Sequence, residues 1–158
     1  MSVILSDTRQ KAGKHQKKEA AFKSMGVEVF RSKLAFGDYC LPPSIAVDTK
    51  AGIQEIAANL CGSREETKRV TAEMKLARAC GSTLIFLIEV GKYSKPSDLI
   101  GERFVLMSGK VISGEQLYRA METVSARYGC RFEFCPPAEA GRKVIELLKD
   151  GNNGHEER

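Results

Sequence analysis

The segment Thr83–Val90, Thr-Leu-Ile-Phe-Leu-Ile-Glu-Val, is the most continuous apolar run of the chain. It is rich in β-branched residues, and polar side chains do not alternate with apolar ones along it. This pattern is typical of a central β-strand whose two faces are both covered. The run therefore predicts a sheet that lies inside the molecule.

Segments with strand and helix patterns alternate around this run. The pattern favours strands at 3–5, 27–34, 39–41, 45–47 and 130–135, and helices at 15–25, 52–60, 64–80, 113–128 and 138–149. Ser63 with Glu66, and Ser113 with Gln116, have the spacing of capping boxes at two helix starts. Residues 91–109 show no clear period and are predicted to form a mobile loop. We therefore predict an α/β fold with a central mixed β-sheet flanked by helices on both faces.

The length of 158 residues is that of one domain. We place this domain at residues 1–150 and predict a disordered polar tail at 151–158. No apolar run approaches the ~20 residues that span a bilayer, and the N-terminus lacks the basic region of a signal peptide. We therefore expect no membrane association and an intracellular, cytoplasmic location, nucleoid-associated if the source is bacterial. The five cysteines have no zinc-site spacing, so reduced and mostly packed thiols are expected.

Two acids and a lysine lie close together between Gly37 and Lys50. Asp38 and Asp48 stand on either side of a Pro-Pro-Ser turn, which predicts a β-hairpin. Lys50 follows Asp48 by two residues, so both side chains point to the same face of an extended strand. A further acid, Asp7, follows the first strand. The hairpin therefore brings carboxylates and an amine toward one place.

Carboxylates and an amine in this arrangement suit metal-dependent hydrolysis of a phosphodiester. Mg²⁺ or Mn²⁺ would take Asp38, Asp48 and the main chain at Thr49 as ligands, with Asp7 bound through water. Lys50 would orient the attacking water and offset developing negative charge. Asp38, Asp48 and Lys50 are thus the catalytic candidates. Acids and a lysine are also common as turn and surface residues, so the spacing alone leaves open the alternative that these three residues have no catalytic role.

The basic residues concentrate near the N-terminus. The net charge is +5 and the pI is near 9.0, values that permit binding to a polyanion. The candidates for contacts with the phosphates of such a polyanion are Arg9, Lys11, Lys14, Lys17, Lys18 and, at a later helix start, Arg64. A solvated helix face would show the same run of charge, so this alternative also stays open.

Several short motifs together resemble the nuclease domain of the XPF family, within the restriction-endonuclease-like PD-(D/E)XK superfamily. Asp7-Thr8-Arg9-Gln10 is similar to an Asp-x-Arg-Glu element, and Gly37-Asp38-Tyr39 matches Gly-Asp-Tyr in full. Asp48-Thr49-Lys50 stands where the family has Glu-Arg-Lys. Gly62 with Arg64 and the segment 117–120 resemble later family elements, so the resemblance covers roughly residues 3–149.

The resemblance implies a restriction-endonuclease-like fold and a metal-dependent endonuclease acting on branched or otherwise structured DNA in repair or recombination. It also implies a homodimer formed through the last two helices. Thr49 replaces the family's arginine and Gln10 replaces a carboxylate, and the family's usual tandem helix-hairpin-helix region does not follow residue 149. A catalytically weakened or inactive DNA-binding module of the same fold is therefore the alternative. A third hypothesis is an RNase or a resolvase-like partner in phage or mobile-element replication.

Overall fold

The computed structural model describes residues 2–11, 14–34, 36–41 and 45–153. The strands are β1 (Ser2–Asp7), β2 (Val27–Ser32), β3 (Tyr39–Leu41), β4 (Ile45–Lys50), β5 (Thr83–Ile88), β6 (Arg103–Val105), β7 (Val111–Ser113) and β8 (Arg131–Phe134). The α-helices are α1 (Gln16–Ser24), α2 (Ile53–Cys61), α3 (Arg64–Ala79), α4 (Gly114–Tyr128) and α5 (Ala140–Asn153). The predicted Pro-Pro-Ser turn at 42–44 lies outside the described residues.

Six strands form one mixed sheet in the order β2-β1-β3-β4-β5-β8. β3 pairs antiparallel with both β1 and β4, and the remaining neighbours are parallel. The predicted hairpin of β3 and β4 is therefore present, with Tyr39 opposite Val47 and Leu41 opposite Ile45. The central mixed sheet predicted from the sequence is confirmed.

Apolar side chains cover the sheet on both faces. Along β5, Leu84, Phe86 and Ile88 contribute to the core beneath α2, α3 and α4, whereas Ile85 and Leu87 contribute to the core beneath α1 and α5. Every side chain from Leu84 to Ile88 is almost fully buried. The two-sided burial explains why this segment carries no polar alternation.

A serine caps the start of both α3 and α4 as predicted, and of these two helices α3 has the full capping box. Ser63 and Glu66 form a reciprocal capping box at the start of α3, and the Ser113 hydroxyl accepts a hydrogen bond from the Gln116 N–H at the start of α4. Each cap satisfies backbone donors that have no partner within the helix. These local signals fix where both helices begin.

The segment 91–109, predicted to be a loop, contains short elements of regular structure, so this prediction was wrong. A 3₁₀ turn at Pro96–Leu99 is followed by β6, which pairs antiparallel with β7 in a separate two-stranded sheet. Leu99, Phe104 and Ile112 are buried and belong to the core on the α4 side. The strands are three residues long, too short to show a period in the sequence.

From the sequence we expect Ala20, Ala21 and Met25 to form the inward face of α1, and the structure differs. The buried residues of α1 are Lys18 and Phe22, four positions apart on one helix face. Phe22 packs edge-to-face on Tyr39 with ring centroids 5.2 Å apart. Phe22 therefore supplies the apolar contact that the sequence pattern assigned to its neighbours.

The C-terminal helix runs further than expected. α5 continues to Asn153, so the first three residues of the predicted tail are helical, and 154–158 lie outside the described residues. Its apolar residues Val144, Ile145, Leu147 and Leu148 are buried in the chain's own core. A homodimer through α4 and α5 stays a prediction, and it would have to use other faces of α5.

Candidate active site

The predicted acids lie in or next to three neighbouring inner strands of the sheet, at the same end of these strands. Asp7 ends β1, Asp38 precedes β3, and Asp48 lies in β4. The Asp7 N–H donates to the Asp38 carbonyl at 2.7 Å, and the Asp38 N–H donates to the Val47 carbonyl at 2.8 Å. The backbone thus ties the three positions together directly.

These acids line an open cleft of about 520 Å³, which we call the catalytic cleft. Thr49 and Lys50 line it from β4, Glu55 from α2, and Arg69 and Glu73 from α3. Phe36, Val70 and Leu76 form its apolar part. The structure therefore brings Asp7, Asp38, Asp48, Thr49 and Lys50 to one cleft, and it adds acids that the sequence did not single out.

Asp38 is held in place by Thr49. One oxygen of Asp38, Oδ2, accepts the Thr49 N–H at 2.8 Å and the Thr49 hydroxyl at 2.9 Å. Gly37 precedes Asp38 with φ +72°, and an added Cβ there would lie 3.0 Å from the Ala46 Cβ. The turn before Asp38 therefore requires glycine, both for its left-handed backbone and for space.

Asp48 and Lys50 point to the same side of β4, as their spacing predicted. The Lys50 Nζ lies 3.2 Å from Asp48 Oδ1 and 3.9 Å from Glu55 Oε1. The same Nζ stands 5.6 Å from the centre of the Phe86 ring. Lys50 is buried, so the acids and the ring fix the position of its ammonium group.

The pKa of Asp48 is raised well above its ordinary value. Burial is the largest cause, the charge of Asp38 raises it further, Lys50 opposes the rise, and Glu73 adds to it. Close carboxylates of like charge resist ionising together. A cation bound among them would relieve this repulsion, which makes the cleft chemically suited to a metal ion.

The donor set fits a partly hydrated cation better than a fully protein-bound one. Within 2–11, 14–34, 36–41 and 45–153, no group of three or more His, Cys, Asp or Glu side chains is placed to hold a metal. Asp38 and Asp48 supply two carboxylates, and Mg²⁺ commonly keeps several waters beside one or two of them. The residues present therefore fit such an ion.

Asp7 has a different environment from the other two acids. Its Oδ2 accepts from the Arg9 Nε at 2.7 Å, and its Oδ1 accepts from the Leu34 N–H at 3.2 Å. The guanidinium of Arg9 also donates to the Leu34 carbonyl at 2.7 Å. Asp7 thus anchors Arg9 and the chain after β2, and its role as a water-mediated metal ligand stays a prediction.

From the sequence, Glu73 could face either the site or solvent, so it is not among the catalytic candidates. It lies on α3, and its Oε1 accepts the Gly37 N–H at 2.8 Å, next to Asp38. Spacing within α3 could not reveal this contact, because it depends on how the helix packs over the hairpin. Glu73 joins the helix to the turn that positions Asp38.

A second cleft of about 530 Å³ adjoins the catalytic cleft, and we call it the N-terminal cleft. Both clefts share Asp7, Arg9, Asp38 and Arg69 among their linings. The predicted DNA contacts Lys11 and Lys14 line the N-terminal cleft together with His15. Burial and the nearby Lys18 lower the pKa of His15. Cations from the N-terminal segment therefore border the acidic site.

The remaining predicted DNA contacts lie elsewhere. Lys17 is exposed on α1, and Arg64 is exposed at the start of α3. Lys18 is buried, and its Nζ forms an ion pair with Glu89 at 2.9 Å. The charge of Lys18 is thus compensated inside the protein, so the structure does not place it on the surface with the other cations.

Other groups are consistent with the sequence interpretation. Tyr39 is buried, and burial together with the charge of Asp38 raises its pKa far above the ordinary value, in line with a packing role. All five cysteines are free thiols. Among the described helices, none is long and apolar enough to cross a membrane.

Comparison with known proteins supports the architecture. No protein-family model and no curated protein sequence matches the chain. Among solved structures, XPF from Aeropyrum pernix matches with a TM-score of 0.66 and 19% identity over 95% of this chain and 65% of that one. XPF from Aeropyrum pernix in complex with DNA matches with a TM-score of 0.66 and 18% identity, over 98% of this chain and 66% of that one.

The chain thus spans 65–66% of the length of those structures. The match extends over the mixed sheet and the helices on both of its faces. This chain therefore has the fold of these XPF structures, a mixed β-sheet flanked by helices on both faces.

Proposed function

We propose that this chain is a metal-dependent DNA endonuclease that hydrolyses phosphodiester bonds in branched or otherwise structured DNA. The observation that carries the proposal is the convergence of Asp38, Asp48 and Lys50 in one cleft, on the strands where the sequence motifs lie. The likeness to an XPF structure in complex with DNA supports a DNA substrate.

In this proposal Asp38 and Asp48 hold one Mg²⁺ or Mn²⁺, with the Thr49 carbonyl as a further ligand. The ion, when bound, lowers the pKa of a water and stabilises charge on the phosphate. Thr49 donates two hydrogen bonds to Asp38, which leave the other carboxylate oxygen available. Lys50 directs its ammonium toward the cleft, where it orients the attacking water and offsets developing negative charge.

The basic residues of the N-terminal cleft bind the DNA backbone in this proposal. Arg9, Lys11, Lys14 and Arg69 border the acids, so a phosphate strand passing them would reach the catalytic cleft. Their positive charge also offsets the repulsion between the carboxylates and the DNA. Lys17 stays in the proposal as an exposed contact on α1, whereas Lys18 does not.

Cleavage of DNA by the purified chain tests the proposal. Flapped, branched and plain duplex oligonucleotides, and an RNA version of one of them, are incubated with Mg²⁺, Mn²⁺ or EDTA. We expect metal-dependent cutting of DNA that falls at least about 10²-fold in Lys50→Met and Asp38→Asn. Lys149→Met, an exposed lysine on α5, is the matched control and should cut as the wild type does.

Two results would contradict the endonuclease proposal. One is the absence of cutting with every DNA and metal. The other is a Lys50→Met variant that cuts as fast as the Lys149→Met control. Cutting of the RNA version in preference to DNA would instead favour the RNase hypothesis.

A DNA-binding module with weakened or lost chemistry is the second candidate. The observation that favours it is that Asp7 already accepts hydrogen bonds from Arg9 and Leu34. In addition, Gln10 is neutral where the family that the motifs resemble has a carboxylate. Binding to DNA without cutting would support this candidate. Metal-dependent cutting that disappears in Asp38→Asn would exclude it.

A further inference from the structure

The outer side of α3 carries a groove that is separate from the two clefts at the acids. It has a volume of about 780 Å³, and we call it the α3 groove. Its lining includes Arg64, Thr67, Lys68, Thr71 and Lys75. Of these, Arg64 is the residue that the sequence interpretation singled out, so the rest of the surface has no assigned role.

The basic residues of the groove share one helix face. Arg64, Lys68, Thr71 and Lys75 follow one another at spacings of four, three and four residues, which align them along one side of α3. At a rise of about 1.5 Å per residue, Arg64 and Lys75 lie about 16 Å apart along the helix. The opposite side, with Val70, Met74 and Ala77, is buried against the core.

Within the part of the chain that the structure describes, the cations of this face form no ion pairs, unlike several other exposed cations. Lys92, Arg119 and Arg131 form ion pairs with neighbouring acids. For Arg64, Lys68 and Lys75, no ion pair occurs with any residue in the described part of the chain.

Two acids, Glu65 and Glu66, lie near these cations in the first turn of α3. Glu66, in the first turn of α3, is bound to Ser63 in the capping box. Glu65 lines the groove beside the three cations. The face therefore keeps an excess of positive charge.

The α3 groove adjoins the catalytic cleft. Ala72 lines both of them, and the next turn of α3 supplies Glu73 and Leu76 to the catalytic cleft. Arg69, adjacent in sequence to Lys68, lines the catalytic and N-terminal clefts. Cationic surfaces therefore border the acids on two sides, one from the N-terminal segment and one from α3.

We propose that the α3 groove binds the phosphodiester backbone of the DNA that flanks the cleaved bond. This inference rests on the proposed function, because it takes the catalytic cleft as the place where DNA is cut. A span of about 16 Å, measured along the axis of a duplex, corresponds to about five phosphates of one strand at a rise of about 3.4 Å each. Three cations along that span can contact one strand on the α3 side of the scissile bond.

The salt dependence of DNA binding tests the inference without any cleavage. Fluorescence anisotropy in EDTA measures affinity for a labelled duplex, and for a single strand, between 50 and 200 mM salt. The test variant is Arg64→Gln/Lys68→Gln/Lys75→Gln. The matched control is Lys23→Gln/Arg142→Gln/Lys149→Gln, which removes the same charges from exposed positions on α1 and α5, across the sheet.

Log affinity falls as log salt rises, and each lost phosphate contact reduces the magnitude of this slope by about 0.9 on a duplex and about 0.7 on a single strand. We expect the magnitude of this slope to be smaller in the test variant, by about 2.7 if the flanking DNA is a duplex and by about 2 if it is single-stranded. A loss of about 2.7 means that the wild-type affinity falls about 40-fold more than the variant's across this salt range. The control should keep the wild-type slope.

Equal slopes for the test variant and the control would overturn the inference. The three single substitutions repeat the measurement if the triple variant melts early, each with an expected loss of about 0.9 on a duplex. Failure of the proposed function gives a different result, because a wild type that never cuts DNA can still show the slope change. If the wild type cuts DNA and the test variant keeps the wild-type slope, the proposed function is supported and DNA binding by the α3 groove is contradicted.

Discussion

The ion pair between Lys18 and Glu89 gives a sharp prediction about which lysines of α1 serve the fold. Lys18 Nζ lies 2.9 Å from Glu89 Oε1, with side-chain exposures of 10% and 11%. Lys17, the adjacent lysine, is exposed. The substitutions Lys18→Met and Lys17→Met therefore remove the same charge from neighbouring positions, one inside the protein and one outside.

The expected magnitudes differ widely. Removing one partner of a buried ion pair costs about 3–5 kcal/mol, because the other charge stays buried without compensation. For a chain of this size the melting temperature falls by about 2–4 °C per kcal/mol, so Lys18→Met should melt about 6–20 °C lower. Lys17→Met should change the free energy of unfolding by less than about 0.5 kcal/mol.

The double variant Lys18→Met/Glu89→Met completes the cycle. Replacing both members of a buried pair by apolar side chains is often neutral or stabilising, so it should recover most of the loss. Urea unfolding of the wild type, Lys18→Met, Glu89→Met and the double variant measures the coupling between the two charges, which is expected to be at least about 3 kcal/mol.

The reasoning is refuted if Lys18→Met is as stable as Lys17→Met. It is refuted further if Lys18→Met also lowers the salt slope of DNA binding by about 0.9, the value for one duplex phosphate contact. That combination would return Lys18 to the DNA-binding surface that the sequence predicted.

Four further predictions concern the turn before Asp38, its helical partner, the helix packing and the thiols. Gly37→Ala should cost more stability than Gly26→Ala. Both glycines have positive φ, so alanine adds strain of about 1–2 kcal/mol at either position, but its Cβ meets open space at 26 and the Ala46 Cβ at 3.0 Å at 37. Equal losses in urea unfolding would refute this. Glu73→Ala should slow cleavage more than Glu73→Gln, because glutamine can still accept the Gly37 N–H; the rates of the two variants decide it. Gly141→Ala should destabilise by about 1–3 kcal/mol, since its Cβ would lie 2.6 Å from the Ala21 Cβ between α5 and α1; an unchanged urea midpoint would contradict it. A thiol reagent at pH 8 should modify the exposed Cys80 first and the buried Cys130 and Cys135 last, because burial raises the pKa of both of these thiols to about 11 and leaves little thiolate; a Cys80→Ser variant that keeps the fast phase would refute it.

Local signals in the sequence determined most of the architecture. The uninterrupted apolar run of β5 indicated a strand buried on both faces, and the serine caps at 63 and 113 marked two helix starts. The Asp48 and Lys50 pair followed from the two-residue period of a strand alone. Each of these features depends on residues that are neighbours in the sequence.

The features that were missed depend on contacts between distant segments. Lys17 and Lys18 are chemically identical, and the burial of Lys18 is decided by Glu89 at the end of β5. Glu73 has the spacing of an ordinary helix residue, and its place in the site comes from α3 packing over Gly37. The β6–β7 hairpin is too short for a periodic signal and is stabilised by Phe104 and Ile112 in the core on the α4 side.

Thr49 shows how such contacts change the expected effect of a residue that differs from the family that the motifs resemble. Where the resembling family has an arginine, the Thr49 main chain and hydroxyl both donate to Asp38. A guanidinium is nevertheless present at the same cleft, because Arg69 lines it from α3. Loss of the arginine in β4 therefore does not remove positive charge from the site. If cleavage is observed, the comparison of Thr49→Val with Arg69→Gln separates the two roles, since the first loosens Asp38 and the second weakens phosphate binding.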